Sequence, residues 1–325
     1  AYSPKRGLID PFGGVEDLKN RCLRCVGDPE TRFREDALRI LRGVRFSVTY
    51  GLIPEGKTEQ AMEALAPLLD HLARERVFSE FCGFLPKITA EELARFAPII
   101  TQVIPELRET VCFDQHSPHH KYDLYTHIAH VVEGVPGDVT LRWAALLHDV
   151  GKIPTFTRDE TGRGHFYGHA QVGARMADDI LHRLKAPTAL RDQAVLLIDQ
   201  HMTRLQPDRR LVKRYFSRWG RETVEKLLYL QQADMGSKGV PGEEGRDEFA
   251  LLWQLLREVE AENNCLTLRD LAVNGRDLMA LGYRGPAIGE GLQDLLDAVL
   301  DEQVPNEKKA LLEFLQQRRE HSGVS

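Results

Sequence analysis

The chain has 325 residues, of which 42% are hydrophobic and 28% charged, and a formal net charge of -6. This length allows two or three packed units, and the composition is that of an ordinary soluble protein without a run of about 20 apolar residues that would cross a bilayer. The negative charge argues against a protein that coats nucleic acid, because phosphate binding relies on clustered Lys and Arg.

The cysteines and the first residues indicate the compartment. Of five cysteines, only Cys22 and Cys25 stand close together, as one C-x-x-C without the second pair that completes a zinc site. Reduced thiols in the cytoplasm are the favoured interpretation. The start, Ala1–Arg6, has neither an initiating Met nor the apolar core of a signal peptide, so we expect a fragment of a longer, non-secreted protein.

The first strong helix signal follows a loop-rich start. Residues 1–28 are rich in Gly, Pro and charge, and we expect them to form the edge of something larger. Asp28 suits an N-cap and Pro29 suits the first helical position. Apolar residues then recur at helical spacing as far as Val44, so the pattern predicts an amphipathic helix from Asp28 onward.

The polar side of this helix carries a stripe in which every third residue is charged: Asp36, Arg39, Arg42 and Arg45. One interpretation is a solvated face with ion pairs, such as Arg32 with Asp36 and Glu35 with Arg39. Each pair is worth about 0.2–0.5 kcal/mol. The other interpretation is base recognition, because a carboxylate beside a guanidinium complements cytosine and adenine but clashes with uracil and guanine.

In the second interpretation each charged group has a separate role. Asp36 accepts a hydrogen bond from the amino group of the base, and Arg39 donates to the unprotonated ring nitrogen. Arg42 and Arg45 are then left to bind triphosphate or ribose oxygens. Protein side chains would in this way select C and A without a nucleic-acid template.

The rest of the chain is predicted to be almost entirely helical, since no sustained apolar-polar alternation follows Tyr50. Helical patterns occupy Thr58–Leu72, Arg74–Leu85, Leu141–His148, Ala170–Leu184, Val224–Ala233, Asp247–Glu262, Leu292–Glu302 and Asn306–Arg319. A polar, His-rich stretch at Phe113–His120 and a Gly-rich linker at Gly236–Gly245 separate these patterns into groups.

Six residues on or beside the later helices are candidate metal ligands: His127, His148, Asp149, His169, His201 and Asp234. The adjacent pair His148-Asp149 is the strongest signal, because it ends the apolar run Leu141–Leu147. The buried face of that helix would fix the direction of both ligands. Single histidines such as His130 are more typical of satisfied core positions.

Three stretches near the N-terminus resemble consecutive motifs of bacterial CCA-adding enzymes, in the class that includes poly(A) polymerases: Gly7–Gly14, Val26–Pro29 and Arg32–Arg39. Residues 270–278, 282–291 and 304–307 are similar to the C-terminal segment of the same enzymes. The resemblance implies that Asp36 and Arg39 act as a protein template for CTP and ATP. It also implies tRNA as partner and Mg²⁺ as cofactor of nucleotidyl transfer.

The metal-ligand candidates resemble the H...HD...D pattern of HD-superfamily phosphohydrolases. His169 and His201 are similar to the additional ligands of two-metal members, and Lys152 to a lysine that contacts a phosphate. Mixed imidazole and carboxylate ligands suit Mn, Ni, Fe, Zn or Mg²⁺. The implied reaction is phosphoester hydrolysis, and a degenerate bundle kept for packing or RNA contact is the alternative.

Together the resemblances imply a mainly α fold: the helical neck, body and tail of a class II nucleotidyltransferase with an inserted helical HD domain. The implied parts are a head remnant at 1–28, the neck at 29–112, the HD domain at 113–240 and a C-terminal body and tail at 241–325. The Asp-x-Asp metal ligands of the head do not occur, so we expect the head to be missing or on a separate chain, and the 325 residues alone not to transfer nucleotides. A poly(A) polymerase and a stand-alone HD phosphohydrolase are the alternatives.

Overall fold

The computed structural model describes residues 2–5, 7–116, 121–237, 243–262 and 266–322, and helices dominate them. The prediction of a mainly α fold is therefore confirmed. The chain divides into two compact units: one is Ala1–Thr203 with Tyr229–Pro241, and the other is Arg204–Leu228 with Gly242–Ser325.

The helices of the first unit fall into two groups along the chain. The first group is α1 (Gly14–Lys19), α2 (Pro29–Glu35), α3 (Leu38–Tyr50), α4 (Gly56–Ala64), α5 (Arg74–Phe84), α6 (Ala90–Arg95) and α7 (Ala97–Val103), with 3-10 turns at Ala66–His71 and Pro105–Thr110. The second group is α8 (Leu124–Gly134), α9 (Val139–Leu147), α10 (Lys152–Thr155), α11 (His169–Arg183) and α12 (Thr188–Gln200).

The remaining helices are α13 (Arg209–Trp219), α14 (Arg221–Ser237), α15 (Glu243–Ala261), α16 (Gly275–Ala280), α17 (Pro286–Leu300) and α18 (Lys308–Ser322), with a 3-10 turn at Leu268–Asp270. In the described residues the strands are two residues long and form three separate pairs: antiparallel β1 (Tyr2–Ser3) with β2 (Gly7–Leu8), parallel β3 (Cys22–Leu23) with β4 (Ile53–Pro54), and antiparallel β5 (Thr157–Arg158) with β6 (Gly164–His165).

The helix that was predicted from Asp28 onward begins as expected but is not continuous. Asp28 caps it by accepting from the backbone N–H of Thr31 at 2.8 Å. It ends at Glu35, because Asp36 adopts an extended backbone (φ -150°, ψ 101°) and its side chain accepts from Leu38 N at 3.1 Å. Such local side-chain bonds compete with helix hydrogen bonds. The prediction of one charged stripe from Asp36 to Arg45 was therefore wrong.

The core of the first unit joins its two groups of helices. In α3, Ile40, Leu41 and Val44 are fully buried, and α3 packs on α5. The fully buried indole of Trp143, in α9, stacks on Phe81 of α5 with ring centroids 5.5 Å apart. Large aromatic contacts of this kind dominate core energetics. The proposed neck and HD segments thus share one core, and their assignment as separate domains stays a prediction.

The second unit has its own core and an internally paired basic helix. Leu278, Leu295 and Leu311 are fully buried in its apolar cluster. Several basic residues of α13 meet acidic partners within the unit: Lys213 Nζ lies 2.7 Å from Glu302, and Arg214 Nη2 lies 2.7 Å from Asp301. The positive charge of the basic segment Arg204–Arg218 is therefore partly neutralised within the unit.

The two stretches predicted as connectors differ from expectation in part. Helix α14 continues through Gly236 to Ser237, and α15 already begins at Glu243, so the predicted linker Gly236–Gly245 is helical at both ends. Residues 238–242 lie outside the described residues, as do residues 117–120 of the His-rich stretch.

A close crossing holds α10 against α11 and yields a stability prediction. A Cβ on Gly151 would lie 2.2 Å from His169 O and 2.5 Å from Gly173 N. Because these contacts are backbone atoms, a side chain at this position must push the segments apart, and we expect Gly151→Ala to lower the free energy of unfolding by about 1–3 kcal/mol. Chemical denaturation followed by circular dichroism measures this change.

The matched control is Gly56→Ala at the start of α4, where an added Cβ meets nothing within 4 Å. That change should leave the unfolding free energy unaltered or raise it by up to about 1 kcal/mol. Equal effects of the two substitutions would contradict the close crossing.

Candidate metal centre and nucleotide-binding cavity

Helix α9 delivers the adjacent ligand candidates His148 and Asp149. The side chain of Asp138 caps its start by accepting from Leu141 N at 2.8 Å. The helix ends at Leu147, and His148 and Asp149 are 0% and 1% exposed. The expectation that a buried helix end would direct both side chains inward agrees with this geometry.

The first group of donor atoms consists of His127 Nε2, His148 Nε2, Asp149 Oδ2 and Asp234 Oδ1, all buried and within 4.8 Å of one another. His127 Nε2 lies 3.3 Å from Asp149 Oδ2 and 3.1 Å from Asp234 Oδ1. His148 Nε2 lies 3.1 Å from Asp149 Oδ2. Thus α8, α9 and α14 converge on one point.

The second group uses the other oxygen of Asp149. Its Oδ1 lies 3.4 Å from His169 Nε2 and 3.9 Å from His201 Nε2, and the two imidazole nitrogens lie 3.2 Å apart. His169 begins α11, and His201 directly follows α12. Asp149 therefore faces both groups, one with each carboxylate oxygen.

The second ring nitrogen of each histidine has a partner that orients the imidazole. His148 Nδ1 is 2.8 Å from Ala145 O, His169 Nδ1 is 2.8 Å from Phe166 O, and His201 Nδ1 is 2.6 Å from Ile198 O. In each case the carbonyl belongs to the residue three positions earlier. His127 Nδ1 instead meets Ser237 Oγ at 2.8 Å. Partners of this kind hold metal-ligating imidazoles with Nε2 toward the ion.

The donor set fits a pair of divalent ions. Metal–ligand bonds of about 2.0–2.2 Å place neighbouring donors about 3.0–3.6 Å apart in octahedral or tetrahedral geometry, and most of the separations above lie in that range. His148 Nε2 is also buried without a hydrogen bond of normal geometry, although it lies close to Asp149 Oδ2. Buried polar atoms of this kind are rare unless an ion or water completes them.

The protonation states of Asp149, His169 and His201 suit metal binding. For His127, burial would lower the pKa, but the carboxylates of Asp149 and Asp234 raise it above its ordinary value. Burial would raise the pKa of Asp149, but the charges of His148 and Lys152 hold this pKa well below its ordinary value, so the carboxylate is ionised. Burial lowers the pKa of His201 to about 4 and also lowers that of His169. Both imidazoles are therefore neutral near pH 7, the form that binds a metal.

Lys152 lies against the same carboxylate and is buried. Its Nζ is 2.8 Å from Asp149 Oδ2 and donates to Gln115 Oε1 at 2.9 Å. The ammonium also lies 5.3 Å from the centre of the Phe166 ring. A buried lysine fixed in this way is placed to meet an anion bound at the cluster.

Several basic residues of the proposed neck segment line a separate cavity of about 390 Å³. Its lining includes Arg32, Arg39 and Arg42, the apolar Phe46 and Met62, and the segment Leu23–Val26. A volume of this size is typical of small-ligand pockets. Two of the four predicted nucleotide-binding residues, Arg39 and Arg42, thus face the same space.

The other two predicted residues are engaged elsewhere. Asp36 Oδ2 lies 3.3 Å from Arg76 Nη2, and Arg45 Nε donates to Glu80 Oε2 at 2.7 Å. A Cβ on Gly83 would lie 2.6 Å from the Arg45 side chain, so α5 cradles that arginine closely.

Arg39 Nη1 donates to Glu35 Oε2 and to Arg32 O, each at 2.7 Å. Of the ion pairs anticipated for a solvated face, Glu35 with Arg39 is present, whereas Arg32 contacts Glu35 and not Asp36.

Two residues that contact Lys152 or the candidate metal ligands were not predicted from the sequence. Gln115 accepts from Lys152 across 37 positions, and Ser237 meets His127 across 110 positions. Ser237 lies one helical turn after Asp234, and this spacing is the one signal that could have singled it out.

Comparisons with known proteins place the chain in a family. The family model described as tRNA nucleotidyltransferase domain 2 matches residues 166–315, and the one described as "Probable RNA and SrmB-binding site of polymerase A" matches residues 51–109. The A-adding tRNA nucleotidyltransferase of Deinococcus radiodurans is 36% identical over 313 residues, which are 90% of this chain and 70% of that protein. The CC-adding enzyme of Thermus thermophilus is 33% identical, over 94% of this chain and 72% of that protein.

A solved structure agrees with these relatives. The Bacillus stearothermophilus CCA-adding enzyme in complex with CTP matches with a TM-score of 0.65 and 25% identity, over 99% of this chain and 71% of that one. The chain belongs to the CCA-adding family of tRNA nucleotidyltransferases. The resemblance inferred from its motifs is confirmed.

Membrane insertion has no support from the helices. None of those in the described residues combines the length and apolar character that a transmembrane span requires.

The shared carboxylate gives a sharp prediction for metal binding. Because Asp149 contributes one oxygen to each group, we expect His148→Ala combined with Asp149→Ala to abolish Mn²⁺ binding. His169→Ala combined with His201→Ala should remove one of two bound ions, since the first group keeps its four donors. Equilibrium dialysis with elemental analysis measures the ratio of metal to protein.

The control variant is His182→Ala on the exposed face of α11, which should bind as much metal as the unaltered protein. Full metal binding by the His148/Asp149 double variant would exclude the proposed ligand set.

Proposed function

We propose that this protein extends the 3′ end of tRNA with nucleotides of the CCA sequence, taking them from CTP and ATP. The observation that carries this proposal is the cavity lined by Arg32, Arg39 and Arg42, in a chain whose relatives add A, CC or CCA. Mg²⁺ is the ion expected to neutralise the triphosphate. No carboxylates among the described residues are assigned to that ion.

Base selection is assigned to Asp36 and Arg39. Arg39 lines the cavity, and Asp36 lies three positions earlier, in the extended residue between α2 and α3. A carboxylate accepts from the amino group of cytosine or adenine, and a guanidinium donates to the adjacent ring nitrogen. Uracil and guanine present a carbonyl and an N–H at these places, so the same two side chains oppose them.

The present partners of these side chains are ones that a nucleotide can displace. The Arg39–Glu35 and Asp36–Arg76 pairs are partly exposed, with side-chain exposures between 32% and 52%. Exposed ion pairs contribute only about 0–1 kcal/mol, so exchanging them for bonds to a base costs little. Arg42 is exposed at the same cavity, where it can meet phosphate oxygens.

We expect Arg39→Ala and Asp36→Ala to lose the preference for CTP and ATP over UTP and GTP. Each removes one of two directional hydrogen bonds to the base, so the affinity ratio between CTP and UTP should fall about tenfold or more. Equilibrium dialysis of the four labelled nucleotides measures the ratio without requiring turnover.

The control is Arg34→Ala, since Arg34 is exposed and its partner is Glu30 on the neighbouring turn of α2. Its nucleotide preference should be unchanged. An unaltered CTP-to-UTP ratio in Arg39→Ala would overturn the template role. Extension of tRNA lacking CCA by the chain joined to its head, with CTP and ATP supplied separately and together, tests the wider function, and repeated A addition would favour the poly(A) polymerase alternative.

We propose that the buried metal cluster hydrolyses phosphoesters. A divalent ion bound there supplies an activated water and neutralises charge on a phosphoryl oxygen. Mn, Ni, Fe, Zn or Mg²⁺ suit the mixed imidazole and carboxylate donors. Lys152 is assigned to bind a phosphate oxygen, because its buried ammonium already lies beside the carboxylate that faces both groups.

We expect Lys152→Met to lower kcat/KM for metal-dependent hydrolysis of 2′,3′-cyclic AMP about a hundredfold while the amount of bound metal stays constant. The substitution keeps the aliphatic stem beside Phe166 and removes the charge that faces the phosphate. Hydrolysis at an unchanged rate would exclude this role. An absence of metal-dependent hydrolysis in the unaltered protein would favour a bundle kept for packing or RNA contact.

A further inference from the structure

Tyr167, two residues before the candidate ligand His169, presents an aromatic surface to solvent. Its side chain is 77% exposed, the largest value among the exposed large hydrophobic residues of the described chain. The ring stacks on that of His165, with centroids 5.3 Å apart and planes 6° from parallel. One face of the pair is therefore open to a third flat ring.

Hydrogen bonds hold this stacked pair in place. The Tyr167 hydroxyl lies 3.3 Å from His165 Nδ1, and His165 Nε2 lies 2.8 Å from Asp159 Oδ2. The other oxygen of Asp159 accepts from the backbone N–H groups of Thr161 and Arg163 and so closes the hairpin turn. The aromatic surface is thus fixed before a ligand arrives, which lowers the entropy cost of binding.

The hairpin of β5 and β6 is anchored next to Lys152. Gly164 N donates to His116 O at 3.0 Å, and a Cβ on Gly164 would lie 2.4 Å from Gln115 O. The side chain of that same Gln115 accepts from Lys152 Nζ. Backbone contact this close fixes the hairpin relative to the lysine that faces Asp149.

The segment after β6 turns one aromatic ring inward and the next outward. Phe166 faces Lys152, and its carbonyl accepts from His169 Nδ1. Tyr167 points to solvent, and Gly168 has the left-handed backbone (φ 72°) that makes the turn into α11. The Cα atoms of Tyr167 and His169 are two virtual bonds apart, which is at most about 7.6 Å.

We propose that Tyr167, backed by His165, is a stacking subsite for the base of a nucleotide whose phosphate lies at the metal cluster. One ribose separates base and phosphate in a nucleotide, and the Cα atom of the platform residue lies at most about 7.6 Å from that of the candidate ligand His169. Aromatic side chains stack on any base, so the subsite selects base-bearing phosphoesters, either free nucleotides or the end of an RNA strand, over base-free ones. The assignment of the phosphate to the cluster rests on the proposed hydrolase function.

Photo-crosslinking with 8-azidoadenosine 5′-monophosphate tests the subsite without requiring turnover. The experiment uses the Arg39→Ala variant, in which nucleotide binding in the neck cavity is weakened. We expect the label on the peptide that contains Tyr167, identified by mass spectrometry. Adenosine 5′-monophosphate should protect this peptide at about tenfold lower concentration than ribose 5-phosphate, which lacks the base.

The variants separate stacking from other contacts. Tyr167→Ala should bring the two competitors to equal potency, whereas Tyr167→Phe keeps the ring and should retain the difference. Tyr50→Ala is the matched control, because Tyr50 is also exposed (65%) but lies at the end of α3. A tenfold base preference that survives in Tyr167→Ala overturns the proposal, as does label confined to other peptides.

A base-free substrate distinguishes failure of the subsite from failure of the hydrolase. If Mn²⁺-dependent hydrolysis of glycerol 2-phosphate is the same in Tyr167→Ala and the unaltered protein, while KM for 2′,3′-cyclic AMP rises about tenfold, both proposals stand. Equal KM values overturn the subsite and leave the hydrolase. Crosslinking at Tyr167 without hydrolysis of either ester supports the subsite and excludes the hydrolase. A short oligoribonucleotide that protects better than the mononucleotide identifies RNA as the source of the base.

Discussion

Asp149 is an ionised carboxylate at a position that water hardly reaches, and burying such a charge is costly unless opposite charge surrounds it. Here the ammonium of Lys152 supplies opposite charge, and four imidazoles, of which those of His169 and His201 are neutral near pH 7, also surround the carboxylate. The histidines stand on or beside α8, α9, α11 and α12, so these helices must all approach one point. The close crossing of Gly151 and Gly173 meets the same demand, because side chains there would move α11 and its histidine away.

The charged side chains of the two candidate sites in the first unit differ in burial and in how firmly their partners hold them. In the neck, Asp36 and Arg39 make partly exposed ion pairs, which are weak and easily exchanged for bonds to a ligand. In the group of candidate metal ligands, the side chains are buried and their imidazoles are held by backbone carbonyls or Ser237. A replaceable set of partners suits selection among nucleotides, and a fixed set suits the binding of ions.

A shared core connects these sites within one unit. Trp143 lies in the helix that ends at His148, and it stacks on α5, the helix that supplies partners for Asp36 and Arg45. The membership of the chain in the CCA-adding family makes the neck cavity the expected place of nucleotide selection. The proposed stacking subsite at Tyr167 would give the same unit a second place that recognises a base.

The sequence by itself determined the mainly α fold, the capped start of α2 at Asp28, the buried helix end at His148 and the family. These features depend on contacts between residues that are at most about four positions apart in the sequence, or on the order of motifs. Both are visible in the sequence itself. The ligand candidates were also predicted, since H...HD...D is a pattern of residue types.

Tertiary structure alone decided that Asp36 pairs with Arg76 of α5, which lies 40 positions further along the chain. Tertiary structure also decided that Gln115 contacts Lys152 and that Ser237 contacts His127. It decided as well that basic side chains of α13 form ion pairs with Asp301 and Glu302. Those contacts join positions that are tens of residues apart, and no local pattern encodes which of many polar side chains will meet.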